Sequence, residues 1–136
     1  MPIQFPWTTL VAVAALIVYI WLSMWVGKMR GKYSVVAPAE DGPPEFRRVF
    51  RAHLNTLEQI VIFLPALALF AIAWGDALAA VIGAFWPAGR IMYGLGYAKE
   101  PKKRGPGFGL SFLSASILLL GALAGAVMTL AEKAPS

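Results

Sequence analysis

A stripe of polar side chains interrupts an apolar stretch near the middle of the sequence. Arg47, Arg51, Asn55 and Glu58 recur there at helical spacing. On a helix that turns by about 100° per residue, these four side chains lie within about 80° of one another, and His53 points to nearly the opposite side. Arginine can hold a carboxylate through two parallel hydrogen bonds, so this face could bind a small polar anion.

A second polar stripe follows later in the chain, where Arg90, Tyr93 and Tyr97 are spaced i, i+3 and i+7. Two interpretations of the stripes stay open. In the first, Glu58 pairs with Arg90 or Arg51 to neutralise buried charge, and the tyrosines are interfacial anchors. In the second, both stripes line a wet cleft for an anion, with the amide and carboxylate of the first stripe binding an amine or amide group.

The sequence gives little evidence for other kinds of chemical site. It contains no cysteine and therefore no disulfide, no thiolate metal site and no thiol nucleophile of its own. Neither a metal-ligand spacing, nor a Ser/His/Asp set, nor a phosphate-binding glycine loop is present. The basic cluster from Lys99 to Arg104 needs no chemical role, because cytoplasmic loops of membrane proteins are rich in Lys and Arg. The most specific site that the spacing alone can indicate is an anion cleft at the inner membrane surface.

The composition indicates that membrane helices position these side chains. Apolar residues make up 59% of the 136 residues and charged residues 14%, and the mean hydropathy is +0.67. A soluble domain of this size could not bury so much apolar surface, so the excess must face lipid. All Lys and Arg residues except Lys133 lie between Lys28 and Arg104. Their clusters flank apolar runs, which is typical of cytoplasmic loops and not of a nucleic-acid surface.

Four apolar stretches predict four membrane-spanning helices, at about 5–27, 45–74, 77–98 and 107–131. Basic residues follow the first and third helices, whereas the turn at Gly75 and Asp76 has none, so both termini are expected on the non-cytoplasmic side. The uncharged portions of the second and third helices are too short to cross the membrane, so these spans must carry charged side chains below the headgroups. The predicted fold is an all-α integral membrane four-helix bundle forming one domain over 1–136.

Both polar stripes belong to motifs that resemble those of a known family. Residues 42–46 read GPPEF, residues 48–59 read RVFRAHLNTLEQ and residues 90–98 read RIMYGLGYA. Together they resemble the signature of the MAPEG family, the membrane-associated proteins in eicosanoid and glutathione metabolism, and the resemblance covers nearly the whole chain. Gly31, Gln59 and Met92 depart from the leukotriene-synthase-like members. These departures imply a bacterial-type member that is similar to the microsomal glutathione transferases.

The resemblance implies a homotrimer of four-helix subunits that binds glutathione at its cytoplasmic end, between neighbouring subunits. The implied glutathione contacts that match the family in residue type are Arg51, Asn55, Glu58, Tyr93 and Tyr97. Arg30 and His53 match less closely and would belong to the neighbouring subunit's side of the site. Arg104 matches the arginine that stabilises the glutathione thiolate in the catalytic members of the family.

The function that the resemblance implies is a membrane-bound glutathione transferase acting on lipophilic electrophiles dissolved in the bilayer, with glutathione peroxidase activity as a further expectation. The implied location is a bacterial inner membrane with the site facing the cytoplasm. Two alternatives stay open: a non-catalytic, lipid-binding membrane scaffold of the same fold, and a small transporter built on the polar stripes. Arg104, together with the intact set of Arg51, Asn55 and Glu58, favours the enzyme.

Overall fold

The computed structural model describes residues 2–134, and most of them are helical. The helices are α1 (Pro6–Tyr33), α2 (Pro44–Trp74), α3 (Asp76–Gly83), α4 (Phe85–Lys99) and α5 (Gly105–Lys133). A short 3-10 helix, Pro101–Arg104, joins α4 to α5. Within residues 2–134 there is no β-strand. The all-helical class that the sequence predicts is therefore confirmed.

Among the described residues, four stretches are long and apolar enough to cross a membrane. They are α1, α2, α3 together with α4, and the 3-10 helix together with α5. Large apolar side chains cover the outside of these spans; Leu10, Ile17, Ile72 and Leu120, for example, are each more than half exposed. Such a surface is stable in hydrocarbon and not in water. The chain is an integral multi-pass membrane protein.

The observed helices differ from the predicted ones in two places. α1 continues past the predicted end at residue 27 as far as Tyr33, and the chain leaves it at Ser34, which has a φ of 54°. The third predicted helix is interrupted at Ala84. The reason is Pro87, which has no N–H to donate to the carbonyl oxygen of Gly83. Ala84 itself keeps right-handed helical dihedrals, so α3 and α4 together make one span.

Successive spans run in opposite directions, so the chain alternates between two ends of the molecule. The basic end contains the end of α1, the loop 34–43 and the 3-10 helix. There the Nε of Arg48 donates a hydrogen bond to the carbonyl oxygen of Ala98 at 3.0 Å. The opposite end contains the start of α1, the α2–α3 turn and the end of α5. There the Nε1 of Trp74 donates to the carbonyl oxygen of Gly121 at 2.7 Å.

Two apolar clusters fill the interior. The larger one extends towards the opposite end and includes Phe63, whose ring stacks on that of Trp86 with their centroids 4.5 Å apart. The smaller one lies at the basic end around Phe46 and Val49. Between these clusters along α2 and α4 lies a set of buried hydrophilic side chains, which we call the polar layer. Its members are Thr56, Arg90 and Ser111.

α4 and α5 approach each other closely because glycines face each other at the contact. A Cβ atom added to Gly107 would lie 2.6 Å from the carbonyl oxygen of Gly89 and would also overlap the backbone nitrogen of Tyr93. Only a residue without a side chain allows this separation. The close approach brings Ser111 of α5 against Arg90 of α4, and so helps to assemble the polar layer.

Candidate functional site

A polar cavity of about 300 Å³ opens between α2, α4 and the 3-10 helix in the half of the molecule near the basic end. Its lining residues are Arg51, Leu54, Asn55, Glu58, Tyr93, Tyr97 and Arg104. Six of these seven were proposed from the sequence as site residues, and Leu54 was not. The cavity carries two guanidinium groups and one carboxylate, so its charge suits an anion that also has a cationic group.

The α2 wall of the cavity is the stripe that the helical spacing predicts. Arg51 and Glu58 are exposed and Asn55 is half-buried. In the part of the chain that the structure describes, the one ion pair joins Arg47 to Asp41 at 3.4 Å, on the surface. The carboxylate of Glu58 therefore makes no ion pair with a described residue, and it remains available to a ligand.

Tyr93, Tyr97 and Arg104 form the other wall of the cavity, and Arg90 lies behind it. The guanidinium carbon of Arg90 lies 4.0 Å from the ring centroid of Tyr93. The Tyr93 ring meets that of Tyr97 edge-on with 5.6 Å between centroids, and the guanidinium carbon of Arg104 lies 5.4 Å from the Tyr97 centroid. Cations are attracted to the negative faces of aromatic rings, so these contacts fix the positions of the four side chains relative to one another.

Arg104 lies at the exposed rim of the cavity, at the end of the 3-10 helix. Its Nη1 donates a hydrogen bond to the carbonyl oxygen of Pro101 at 2.8 Å. A guanidinium group has five N–H donors in a planar fork, so this single bond leaves others for a ligand. The 3-10 helix thus holds a cation beside the cavity and leaves N–H donors of its guanidinium group available for a ligand.

Arg90 lies behind the cavity wall and has no exposed surface. It donates hydrogen bonds to Oδ1 of Asn55 at 2.7 Å, to Oγ1 of Thr56 at 3.0 and 3.2 Å, and to Oγ of Ser111 at 3.3 Å. The pairing of Arg90 with Glu58 that the sequence left open is therefore not found. The sequence spacing did not single out Thr56 or Ser111: Thr56 follows Asn55 but lies off the polar stripe, and Ser111 is a hydroxyl residue within an apolar stretch.

Arg30 and His53 lie away from the cavity in their own chain. The Nη1 of Arg30 donates to the carbonyl oxygen of Ala39 at 2.7 Å. His53 is on the opposite face of α2 from Arg51, as the helical spacing predicts. Its Nε2 is 2.9 Å from Oγ of Ser23, its ring stacks on Tyr19, and its Nδ1 is buried without a partner among the described residues. Their roles in binding glutathione stay predictions.

A second cavity of about 350 Å³ adjoins the first at the basic end. It is lined by Glu40, Asp41, Arg47, Phe50, Arg51 and Leu54. Arg51 and Leu54 line both cavities, so the second one extends the first towards the loop 34–43. Among residues 2–134, no three His, Cys, Asp or Glu side chains come together as a metal ion would require.

Comparison with known proteins gives a consistent result. The MAPEG family model matches residues 8–124. An uncharacterized protein from Synechocystis sp. is 46% identical over 117 residues, which is 86% of this chain and 85% of that protein. Human microsomal glutathione S-transferase 2 is 41% identical over 104 residues, covering 76% of this chain and 71% of the transferase. Leukotriene C4 synthase from Mus musculus is 34% identical, with 69% and 63% covered.

Proposed function

The chain belongs to the MAPEG family, and we propose that it is a membrane-bound glutathione transferase, which activates the thiol of glutathione for attack on lipophilic electrophiles. Among its relatives are proteins named as a glutathione transferase and as a leukotriene synthase. The observation that carries the proposal is the cavity in which Arg51, Asn55, Glu58 and Arg104 come together with two tyrosines.

The chemistry of this cavity fits glutathione. The tripeptide carries two carboxylates, one ammonium group and a thiol at neutral pH. Arg51 would hold a carboxylate through its fork of donors, and the carboxylate of Glu58 would hold the ammonium group. Asn55 and Tyr93 would bind the γ-glutamyl end as well, while Tyr97 closes the wall of the cavity.

Arg104 would be the catalytic residue, because it would contact the sulfur. A cysteine-type thiol has a pKa of about 8.5, so at neutral pH it is mostly protonated and weakly nucleophilic. A guanidinium group within hydrogen-bonding distance stabilises the thiolate and lowers the pKa. A reduction of one or two units corresponds to about 1.4–2.7 kcal/mol. The chain contains no cysteine, so the attacking sulfur would be that of glutathione.

The second substrate would come from the bilayer. A lipophilic electrophile dissolved there could reach the thiolate between the helices, and the thiolate would displace its leaving group or add to its activated double bond. A lipid hydroperoxide would react at the same place: two glutathione molecules would be oxidised to the disulfide, and the hydroperoxide would be reduced to an alcohol and water. Peroxidase activity is therefore a second part of the proposal.

The complete site would contain more than one chain. Arg30 and His53 do not line the cavity of their own chain, so any contact they make with glutathione has to be to a molecule bound by a neighbouring copy. We place these copies in a homotrimer in a bacterial inner membrane. The basic end would face the cytoplasm, following the rule that cytoplasmic loops are rich in Lys and Arg, and both termini would lie on the other side.

The test of this function is the ultraviolet absorbance of glutathione thiolate bound to the detergent-purified protein. We expect the wild-type protein to show this absorbance at neutral pH, and Arg104→Ala to bind glutathione but lose it. Lys103→Ala is the matched control, since Lys103 is an adjacent cation outside the cavity lining and should leave the absorbance unchanged. An unchanged absorbance in Arg104→Ala would remove this residue from the mechanism.

The same preparation separates the enzyme from the non-catalytic lipid-binding scaffold. Titration calorimetry with glutathione should show saturable binding to the wild-type protein, which the scaffold does not require. No heat of binding, together with no turnover of a chlorodinitrobenzene, would favour the scaffold. Flux of glutathione into proteoliposomes without turnover would instead favour a transporter.

A further inference from the structure

Arg90 is a buried cation whose charge is not balanced by a neighbouring carboxylate. Its side chain is completely buried, and every hydrogen bond it donates within the described residues goes to a neutral oxygen. Charged groups within membrane spans are costly, and those that occur are usually paired or have a function. A hydrophobic residue would fill this space between α2, α4 and α5 at a lower cost, so the presence of arginine calls for a further explanation.

The shortest of these bonds determines how Asn55 faces the cavity. The Nη2 of Arg90 donates to Oδ1 of Asn55 at 2.7 Å, and an arginine has no acceptor to offer in return. The amide oxygen of Asn55 must therefore face Arg90, which leaves the amide nitrogen for other partners. Because Asn55 also lines the cavity, it can present N–H donors there. Such donors suit the carboxylate or peptide carbonyl of a ligand and not its ammonium group.

Arg90 also supports the facing wall of the cavity. Its guanidinium carbon is 4.0 Å from the ring centroid of Tyr93, whose side chain is 3% exposed. One arginine thus contacts two residues that line the cavity from different helices, Asn55 on α2 and Tyr93 on α4. Its positive charge lies directly behind them in a medium of low polarity, where electrostatic interactions are less screened than in water.

We propose that Arg90 is a positioning residue for glutathione: it orients the amide of Asn55 as a donor, fixes the ring of Tyr93, and supplies an unbalanced positive charge that the bound anion neutralises. This inference rests on the proposed function. It assigns to Arg90 no contact with glutathione or with the reacting sulfur. Arg90 therefore contributes mainly to glutathione affinity and less to the chemical step.

The first test measures the KM for glutathione and the kcat of detergent-purified variants with a chlorodinitrobenzene. Arg90→Lys keeps the charge but cannot donate to all three partners from a planar fork. We expect its KM to rise by about tenfold with kcat within about twofold, as the loss of an oriented, charge-assisted hydrogen bond predicts. A purely structural role would instead lower kcat in proportion to the fraction of folded protein and leave KM unchanged.

Asn55→Asp tests the orientation of the amide without changing Arg90. The new carboxylate would accept the hydrogen bond from Arg90 and balance its charge, so the melting temperature should stay the same or rise. Its second oxygen, however, would present an acceptor where the wild-type residue presents a donor. We expect glutathione affinity to fall by more than about tenfold in a variant that remains at least as stable as the wild type.

Thr56→Val is the matched control. It removes the hydrogen bonds between Arg90 and Oγ1 of Thr56 but leaves the contacts with Asn55 and Tyr93. Thr56 is completely buried and does not line the cavity. This variant should therefore melt at a lower temperature while its KM stays within about twofold of the wild-type value.

The outcomes separate this inference from the proposed function. Suppose that the wild type binds glutathione, but KM is unchanged in Arg90→Lys and affinity is unchanged in Asn55→Asp. This result would overturn the positioning role alone. A rise in KM in Thr56→Val as large as that in Arg90→Lys would also overturn it, because the effect would then be a general loss of packing. Failure of the wild type to bind glutathione would overturn both proposals. If Arg90→Lys does not fold, Asn55→Asp decides.

Discussion

The two halves of the molecule are built from the same helices, but they use their polar groups differently. Near the opposite end, polar side chains bond to the backbone of neighbouring helices. The Asp76 carboxylate accepts hydrogen bonds from the backbone nitrogens of Trp7 and Thr8 at 3.1 and 2.8 Å, and Oγ of Ser114 donates to the carbonyl oxygen of Ile82 at 2.8 Å. Near the basic end Arg48 also bonds to the backbone of a neighbouring helix, but Arg51 and Glu58 direct their charges to an open cavity.

This contrast assigns different roles to the two halves. Bonds between a side chain and a neighbouring helix satisfy polar groups and join the spans to one another. Charged groups around a cavity contribute little to folding, but they can bind a charged ligand. We therefore expect substitutions near the opposite end to change stability without changing affinity for glutathione, and substitutions around the cavity to do the reverse. Within the polar layer between the halves, Arg90 links the two properties, because it also contacts the cavity residues Asn55 and Tyr93.

The largest loss of folded protein is expected at the contact between α4 and α5, because both halves of the molecule depend on it. In Gly107→Ala the new methyl group would overlap the backbone of α4, which cannot move away without separating the helices. Overpacking typically costs about 1–3 kcal/mol and occasionally more. We expect a cost above that range here, because the atoms nearest the new methyl group are all backbone atoms. We expect most of the folded protein to be lost, as measured by fluorescence-detected size-exclusion chromatography.

Gly109→Ala is the control for that substitution. It adds the same methyl group to the same helix, but no atom lies within 4 Å of the new Cβ position. This variant should fold as the wild type does. Equal yields of the two variants would contradict a close approach of α4 and α5 at Gly107.

The next prediction tests whether stability is concentrated in the larger apolar cluster. Phe63 is completely buried and stacks on Trp86. Phe63→Ala should destabilise the protein by about 3–5 kcal/mol, because it removes buried apolar surface and leaves a cavity. Affinity for glutathione should not change in the fraction that remains folded. Thermal unfolding and calorimetry of the same sample measure the two quantities.

Phe85→Ala provides the comparison, because Phe85 is 52% exposed on the outside of α4. The same atoms are removed from a side chain that faces lipid, and the melting temperature should change much less. A similar loss of stability in both variants would mean that stability is not concentrated in the apolar cluster around Phe63.

The complementary prediction concerns the cavity. Arg51→Gln removes a cation that would hold a glutathione carboxylate, and hydrogen bonds to charged groups are worth about 1.5–3 kcal/mol. The dissociation constant for glutathione should rise by about tenfold to a hundredfold, with little change in melting temperature. Arg47→Gln is the matched control, because Arg47 lies one turn earlier on the same stripe and outside the first cavity. Equal effects of both variants would indicate general attraction of an anion instead of a defined site.

The sequence predicted the cavity wall on α2 because helical spacing alone places Arg51, Asn55 and Glu58 on one face. It could not predict that Arg90 turns to Thr56 and Ser111. That arrangement depends on the rotation of three helices about their axes and on the close approach that Gly107 permits, and neither property is visible in the spacing of one helix. For the same reason the sequence left open a pair between Glu58 and Arg90.

The smallest effect is expected at the α2–α3 turn, where Asp76 caps a helix that is distant in sequence. No side chain caps the start of α1 from within, so the backbone nitrogens of Trp7 and Thr8 depend on the two carboxylate oxygens of Asp76. Asp76→Ala leaves both donors without this acceptor and also removes a negative charge that suits the positive end of the α1 dipole.

The melting temperature of Asp76→Ala should therefore fall, though less than that of Phe63→Ala. The melting temperature of Asp76→Asn should fall by a smaller amount, because the amide keeps one acceptor oxygen. Affinity for glutathione should match the wild type in both variants, since the turn lies at the opposite end from the cavity. A loss of affinity in Asp76→Ala comparable to that of Arg51→Gln would show that the two halves are not independent. The distinction between a stabilising half and a binding half would then have to be abandoned, because the anchoring of α1 would itself shape the cavity.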